Sequence, residues 1–263
     1  MREFKGHVCS PGPVRQNQTG MYACRFCGRV EARPLAICPD CGTWGSFRPI
    51  EELRPSRPRV WSSGPLSLGL LDRLVGRVPP GTVLLLGGEP GVGKSTLALS
   101  VASAMAKSGP VLYVCGEEKA AVVEERANRV GATGLRFLEE YLVGRILRAA
   151  EGYRGLVVDS LPTVAPRASL SPGGPTAQRE AAMEFVRFAR KTGCVVLLVT
   201  QMAKKGLSGP KMVEHIVDVV LMLTKSADGG RLLRVAKNRF GPATAALALK
   251  MTSVGLLPLG SRS

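Results

Sequence analysis

No apolar run in this 263-residue chain approaches the ~20 residues that a membrane-crossing helix requires. The opening segment, Met1-Arg-Glu-Phe-Lys-Gly-His-Val-Cys-Ser10, lacks the apolar stretch of a secretory signal. These two gaps lead to the expectation of a cytoplasmic protein without a membrane partner. Acidic residues are also scarce: 20 Asp+Glu face 36 Lys+Arg, a formal net charge of +16. Such an excess favours a polyanionic partner, most often nucleic acid. An acidic membrane surface, or a composition serving solubility or thermal stability, is the alternative. No internal repeat is evident. Apolar residues are not lacking; at 45% they suffice for a sizeable core.

What is present is strongly patterned. Gly88-Glu-Pro-Gly-Val-Gly-Lys94-Ser95 fits G-x-x-x-x-G-K-[ST], a phosphate-cradling loop. It follows an apolar β-type run, Thr82–Leu86, and precedes a helical segment, Thr96–Ala106. Glycines there let backbone N–H groups turn inward around phosphates, and the helix N-terminus faces the anion. Gly88, Glu89, Pro90, Gly91, Val92, Gly93, Lys94, Ser95 and Thr96 are therefore the expected nucleotide-binding residues. Lys94 would reach the β/γ-phosphates and Ser95 would offer a hydroxyl to Mg²⁺. The chain should bind a nucleoside triphosphate.

Seven cysteines in a reducing compartment argue against a disulfide framework. Cys24-Arg-Phe-Cys27 and Cys38-Pro-Asp-Cys41 are two C-x₂-C pairs with ten residues between them, the spacing of a closed Cys₄ zinc site. Such zinc is structural and holds a segment too short for its own core. Cys115 and Cys194 lie in or beside apolar strands and read as core thiols.

The expected organisation is a flexible extension over 1–20, a zinc module over 21–50, a basic linker over 51–62, an ATPase domain over 63–256 and a tail over 257–263. Strand-like runs at 82–86, 111–115, 156–159, 194–200, 217–223, 232–237 and 245–251 alternate with helical segments up to the fifth, and turn residues join the last three. Near-continuous apolar strands separated by helices indicate a mostly parallel sheet covered on both faces. The last three runs look like an antiparallel extension.

A phosphate loop alone only binds; hydrolysis needs a positioned water and charge compensation. Asp159, ending an apolar strand, is placed to organise Mg²⁺. Glu117 and Glu118 follow the strand 111–115 at the ligand-binding edge, and either could polarise the attacking water. Gln201, after the strand 194–200, could sense the γ-phosphate.

Taken in order, the Cys₄ pairs ending in Cys38-Pro-Asp-Cys41-Gly-Thr-Trp44, the phosphate loop, Tyr113-Val-Cys-Gly-Glu-Glu-Lys119, Leu156-Val-Val-Asp-Ser160, Val213–Val220 and Lys237-Asn-Arg-Phe-Gly241 resemble the bacterial RadA (Sms) DNA-repair ATPases, relatives of RecA and DnaB. The resemblance runs from about residue 22 to 256. It implies an α/β fold with a RecA-like P-loop ATPase core, preceded by the zinc module. It favours Glu117 over Glu118 as catalytic carboxylate, and implies that Lys237 and Arg239 reach a neighbour's γ-phosphate in a hexameric ring. A DNA-facing basic strand is the alternative for that pair. It further implies ATP/ADP, Mg²⁺ and Zn²⁺ as cofactors, single-stranded DNA as partner and a recombinase such as RecA nearby. Two segments, 163–179 and 204–211, match DNA-facing loops, with Arg167, Arg179, Lys204, Lys205 and Lys211 as phosphate contacts. Neither segment carries an aromatic residue, so backbone contact is expected rather than base stacking. The family usually continues into a Lon-protease-like domain, which this chain is expected to lack. Thr200-Gln201-Met202 and Pro242 also look more like the RecA or helicase relatives. A short form is expected, acting as a DNA-dependent motor in recombinational repair or branch migration; a nucleotide-switched binding protein of the same fold is the alternative.

Overall fold

The computed structural model describes residues 20–24, 29–40, 42–50, 64–201, 210–226 and 229–259, without the side chains of 210 and 211. The extension over 1–19, the linker over 51–62 and the last four residues thus lie outside the described residues.

Apolar runs become buried strands: β4 (Val83–Gly88), β5 (Val111–Cys115), β7 (Gly155–Asp159) and β8 (Val195–Val199) are buried along their whole length. Period-two alternation sends successive side chains to opposite faces. Leu84 and Leu86 pack on one side with Leu97, Val101 and Met105 of α2 (Lys94–Ala106); Val83 and Leu85 pack on the other with Phe185 and Ala189 of α5 (Pro175–Thr192). Two cores therefore sandwich one sheet.

The nine-stranded sheet has a central parallel block, β9 (Val219–Lys225), β4, β8, β7, β5 and β6 (Leu135–Leu138) in that order. On its β9 side it is extended by β10 (Arg231–Asn238), β11 (Ala246–Thr252) and β12 (Gly255–Pro258), all antiparallel. The mostly parallel α/β sheet expected from sequence is found, with one correction. The run 217–223 belongs to the parallel block, because β9 pairs with β4 in parallel register, Leu84 opposite Val219 and Gly88 opposite Leu223.

The remaining helices are α1 (Asp72–Val75), α3 (Ala120–Arg129), α4 (Val143–Ala149) and α6 (Pro210–Ile216). No helix among the described residues is long and apolar enough to cross a membrane.

Ahead of this core, β1 (Tyr22–Cys24), β2 (Val30–Glu31) and β3 (Phe47–Pro49) form a small antiparallel sheet. Cys24, Cys38 and Phe47 cluster there with Leu142 and Ala165 of the larger unit. Arg145 donates to the Thr43 hydroxyl (2.8 Å), and Arg148 to the Cys24 carbonyl (2.9 Å), so α4 ties the module down.

Candidate nucleotide site

The turn from β4 to α2 places Gly88 to Ser95 at the carboxyl edge of the parallel block. Gly88 has to be glycine, since a Cβ would come within 2.4 Å of the Leu223 carbonyl oxygen on β9. Gly93, at φ +107°, caps α2 in a left-handed conformation open to glycine. Lys94 folds back so that its ammonium donates to the Gly88 and Glu89 carbonyls (3.0 and 2.9 Å). Burial pushes the Lys94 amine below its ordinary pKa, while Glu117 and Asp159 oppose that shift.

Asp159 ends β7, next to β5, and lies opposite Cys115 in the register. Its carboxylate, 9% exposed, accepts from the Tyr113 hydroxyl at 2.7 Å. Burial raises the Asp159 pKa, partly offset by hydrogen bonds from Tyr113 and Ser95. Ser95 and Asp159 are thus neighbours, a hydroxyl and a carboxylate of the kind that hard divalent cations take as ligands.

Gly116 explains how the next group arrives. Its N–H donates to the Asp159 carbonyl at 2.7 Å, and a Cβ would collide with the Thr163 hydroxyl at 1.9 Å. The chain then turns so that Glu117 accepts from Ser160 (2.5 Å) and Gln201 (3.3 Å). Glu118 turns the other way into a two-pronged pair with Arg126, both contacts at 2.7 Å, and that hydrogen-bonded guanidinium lowers its pKa. Only Glu117 of the two lines the cavity of about 340 Å³ that also touches Pro90, Gly91, Gly93, Lys94, Ser95, Thr96, Arg126, Asp159, Gln201 and Met251.

Lys237 and Arg239 lie elsewhere. Antiparallel register puts Asn238 opposite Val219, which faces Leu84 near the start of β4. Four residues separate Leu84 from Gly88, roughly 13 Å along a strand, so the pair sits at the amino edge of the parallel block. Lys237 donates to the carbonyls of Glu214 (2.7 Å), His215 (3.2 Å) and Val217 (2.7 Å), where α6 ends. Arg239 bridges to Asp218 at 3.1 Å. Neither reaches the phosphate loop of its own chain.

Of the expected DNA contacts, Arg167 pairs with Glu180 at 3.2 Å. Arg179 is not on a loop: Pro175 opens α5, where its missing N–H costs nothing, so Arg179 is an exposed helical residue. Lys204 and Lys205 lie outside the described residues, and of Lys211 only the helical backbone of α6 is described.

For zinc, Cys24 and Cys38 are fully buried in one cluster, while Cys27 and Cys41 lie outside the described residues. Among the described residues no group of three or more His, Cys, Asp or Glu side chains converges. The backbone does fit a knuckle: Gly42 N–H returns to the Cys38 carbonyl (2.8 Å) and Cys38 N–H donates to Thr43 (3.0 Å).

Sequence reasoning missed Tyr113, Ser160, Gly116 and Arg126. It also missed Arg231, whose Nε donates to the Val92 carbonyl within the phosphate loop (3.0 Å). Nothing in its neighbourhood in sequence marks Arg231. For Tyr113, a polar hydroxyl inside an apolar strand is the usable signal.

Comparison with known proteins gives a consistent picture. A family model described as "AAA domain" matches residues 70–206. The curated "DNA repair protein RadA" of Pseudomonas aeruginosa is 34% identical over 92% of this chain and 60% of its own length. The RadA of Campylobacter jejuni is 34% identical over 90% and 60%, and that of Aquifex aeolicus 33% over 92% and 60%. The chain therefore spans about 60% of the length of these relatives. The crystal structure of a KaiC-like protein, PH0186 from Pyrococcus horikoshii OT3, superposes with a TM-score of 0.60 at 24% identity, covering 76% of this chain and 99% of that one. At that identity the likeness speaks to the fold, which is RecA-like.

Proposed function

From a chain that belongs to the AAA-domain family and is RadA-like over nearly all its length, we infer an ATP hydrolase of DNA repair that works on single-stranded DNA. The observation that carries this reading is the division of labour between the two sheet edges. Lys94, Ser95, Asp159, Glu117 and Gln201 share one cavity, whereas Lys237 and Arg239 are held at the opposite edge of the parallel block.

The cavity holds the triphosphate of ATP, with Lys94 released from its loop carbonyls onto the β/γ-phosphates. Ser95 and Asp159 would hold Mg²⁺, which neutralises phosphate charge when bound. Glu117, fixed by Ser160 and Gln201, orients and polarises water for in-line attack on the γ-phosphorus. Gln201 reports the state of the γ-phosphate to the segment that follows β8. Lys237 and Arg239 are too far from their own site, so they serve the site of a neighbouring copy, as cations compensating transition-state charge. That geometry calls for a ring or comparable assembly. In such an assembly β7 and β8 end at the same edge as the nucleotide, and Arg167, Arg179, Lys204, Lys205 and Lys211 of the segments that follow them contact DNA phosphates.

Cys24 and Cys38, with Cys27 and Cys41, would hold one structural zinc. Metal analysis returning about one zinc per chain is the expected result, and a metal-free folded protein would remove zinc from the account.

The deciding experiment is steady-state ATP turnover with and without saturating single-stranded DNA at low salt. Stimulation that collapses as salt rises is expected, because several phosphate contacts release counterions. Unchanged turnover would remove the motor and leave a nucleotide-switched binding protein of the same fold.

A further inference from the structure

Asp218 is the most heavily compensated buried carboxylate among the described residues outside the nucleotide cavity. It is 1% exposed and lies between α6 and β9, at the amino edge of the parallel block. One oxygen accepts from the Val83 N–H (2.9 Å), which fixes the start of β4. The other accepts from two guanidinium groups at once, Arg190 at 2.5 Å and Arg239 at 3.1 Å.

The two arginines are not equivalent. Arg190 comes from α5, has the shorter contact, and is tied a second time to the Gly81 carbonyl (3.0 Å). Arg239 has the longer contact, and its only other side-chain bond among the described residues is a stretched 3.4 Å link to the His215 carbonyl. Both side chains are about half exposed, at 47% and 48%. Lys237 beside them is different again, since it caps three backbone carbonyls and touches no carboxylate.

A buried carboxylate that loses its only cation is left uncompensated at considerable cost. With two cations, one can depart while the other remains. We infer that Asp218 is a berth for Arg239, and that Arg190 is a positioning residue which keeps the berth neutralised whenever Arg239 swings onto a neighbouring copy's triphosphate. This rests on the reading above, in which Arg239 acts across a subunit interface. It adds a cost argument: the finger engages readily because Asp218 never has to stand alone.

The test uses Arg190→Gln in the full chain. Without Arg190, Arg239 becomes the sole cation on a buried carboxylate and is held back. Expected is a fall in kcat of about tenfold with KM for ATP unchanged. Mixing these subunits with Lys94→Ala subunits should recover turnover. There, an intact phosphate loop on the Arg190→Gln copy is served by a freely moving Arg239 on its neighbour. Adding Asp218→Asn to Arg190→Gln should also recover part of the loss, because a neutral amide no longer retains the finger. Parental kcat in Arg190→Gln, no recovery on mixing, or a further fall in the double variant would each overturn the berth. The parallel mixture of Arg239→Ala with Lys94→Ala subunits separates the two levels. Absence of recovery in that mixture removes the trans reading itself, whereas recovery there but not with Arg190→Gln removes only the berth.

Discussion

The two edges of the parallel block treat a buried carboxylate in opposite ways. At the carboxyl edge, Asp159 receives hydroxyl partners, with Tyr113 at 2.7 Å, and its pKa is raised by burial. At the amino edge, Asp218 is at least as buried and receives a backbone N–H and two guanidinium groups. The lysines differ only in their partners. Burial disfavours the charge of both, and they differ in what they hold: Lys94 sits on two carbonyls of a loop that ligands enter, whereas Lys237 finishes off the end of α6 with three. The amino edge rests its charges on groups of its own chain until a neighbouring copy's phosphate draws Arg239 away; the carboxyl edge keeps charges whose better partners are a phosphate and a cation. Stability is given up where ligands bind and kept where the chain supports itself.

The contrast is broken most severely by emptying the ligand edge of its chemistry. Lys94→Ala should lower kcat by at least about a hundredfold, and Glu117→Gln by about 10²–10⁴-fold with nucleotide binding retained. Single-turnover hydrolysis alongside a nucleotide-binding titration checks both. Glu118→Gln is the control, because Glu118 is turned away into its pair with Arg126. Loss in Glu118→Gln matching that in Glu117→Gln would mean that the wrong carboxylate has been chosen.

Much of this was legible beforehand, and the remainder depends on strand order. The phosphate loop follows from a local pattern, and the long apolar strands were placed to within two residues. The four-residue strands β6 and β12 escaped because Leu135-Arg-Phe-Leu138 and Gly255-Leu-Leu-Pro258 are too short for a periodic signal. Choosing between Glu117 and Glu118 from the residues alone was impossible, since the choice rests on Ser160, 43 residues away, and on β7 lying beside β5. Parallel pairing of β9 with β4 was hidden for the same reason. That pairing is what sends Lys237 and Arg239 to the far edge. Pro175 misleads in the other direction: its Pro/Gly-rich surroundings fit a loop, yet it opens a helix of 18 residues.

A smaller effect sharpens the comparison, because the same substitution should act with opposite sign at the two edges. Asp218→Asn leaves the Val83 bond possible but removes the charge that two half-exposed guanidinium groups share. Allowing for solvent screening, a loss of about 1–2 kcal/mol is expected, or a Tm lower by ~3–6 °C at this chain length. Asp159→Asn should instead raise the Tm of the nucleotide-free protein while abolishing hydrolysis. The sign follows from the direction of the shift. A carboxyl whose folded pKa lies above its unfolded value binds its proton more tightly when folded, so stability declines as pH rises from the unfolded to the folded pKa. Below that window both states are protonated and the parent has no handicap. Above it, the parent carries an ionised group that the fold disfavours, and the neutral amide does not, although it can still accept from Tyr113. The Tm difference between variant and parent should therefore be near its smallest in acid, widen through the carboxylate range and level off by neutral pH. Thermal melts from pH 3 to 8 would read this out. An Asp159→Asn protein less stable than its parent at pH 7 would mean that the hydroxyl partners compensate this carboxylate as fully as arginines compensate Asp218, and the two edges would then not differ in kind.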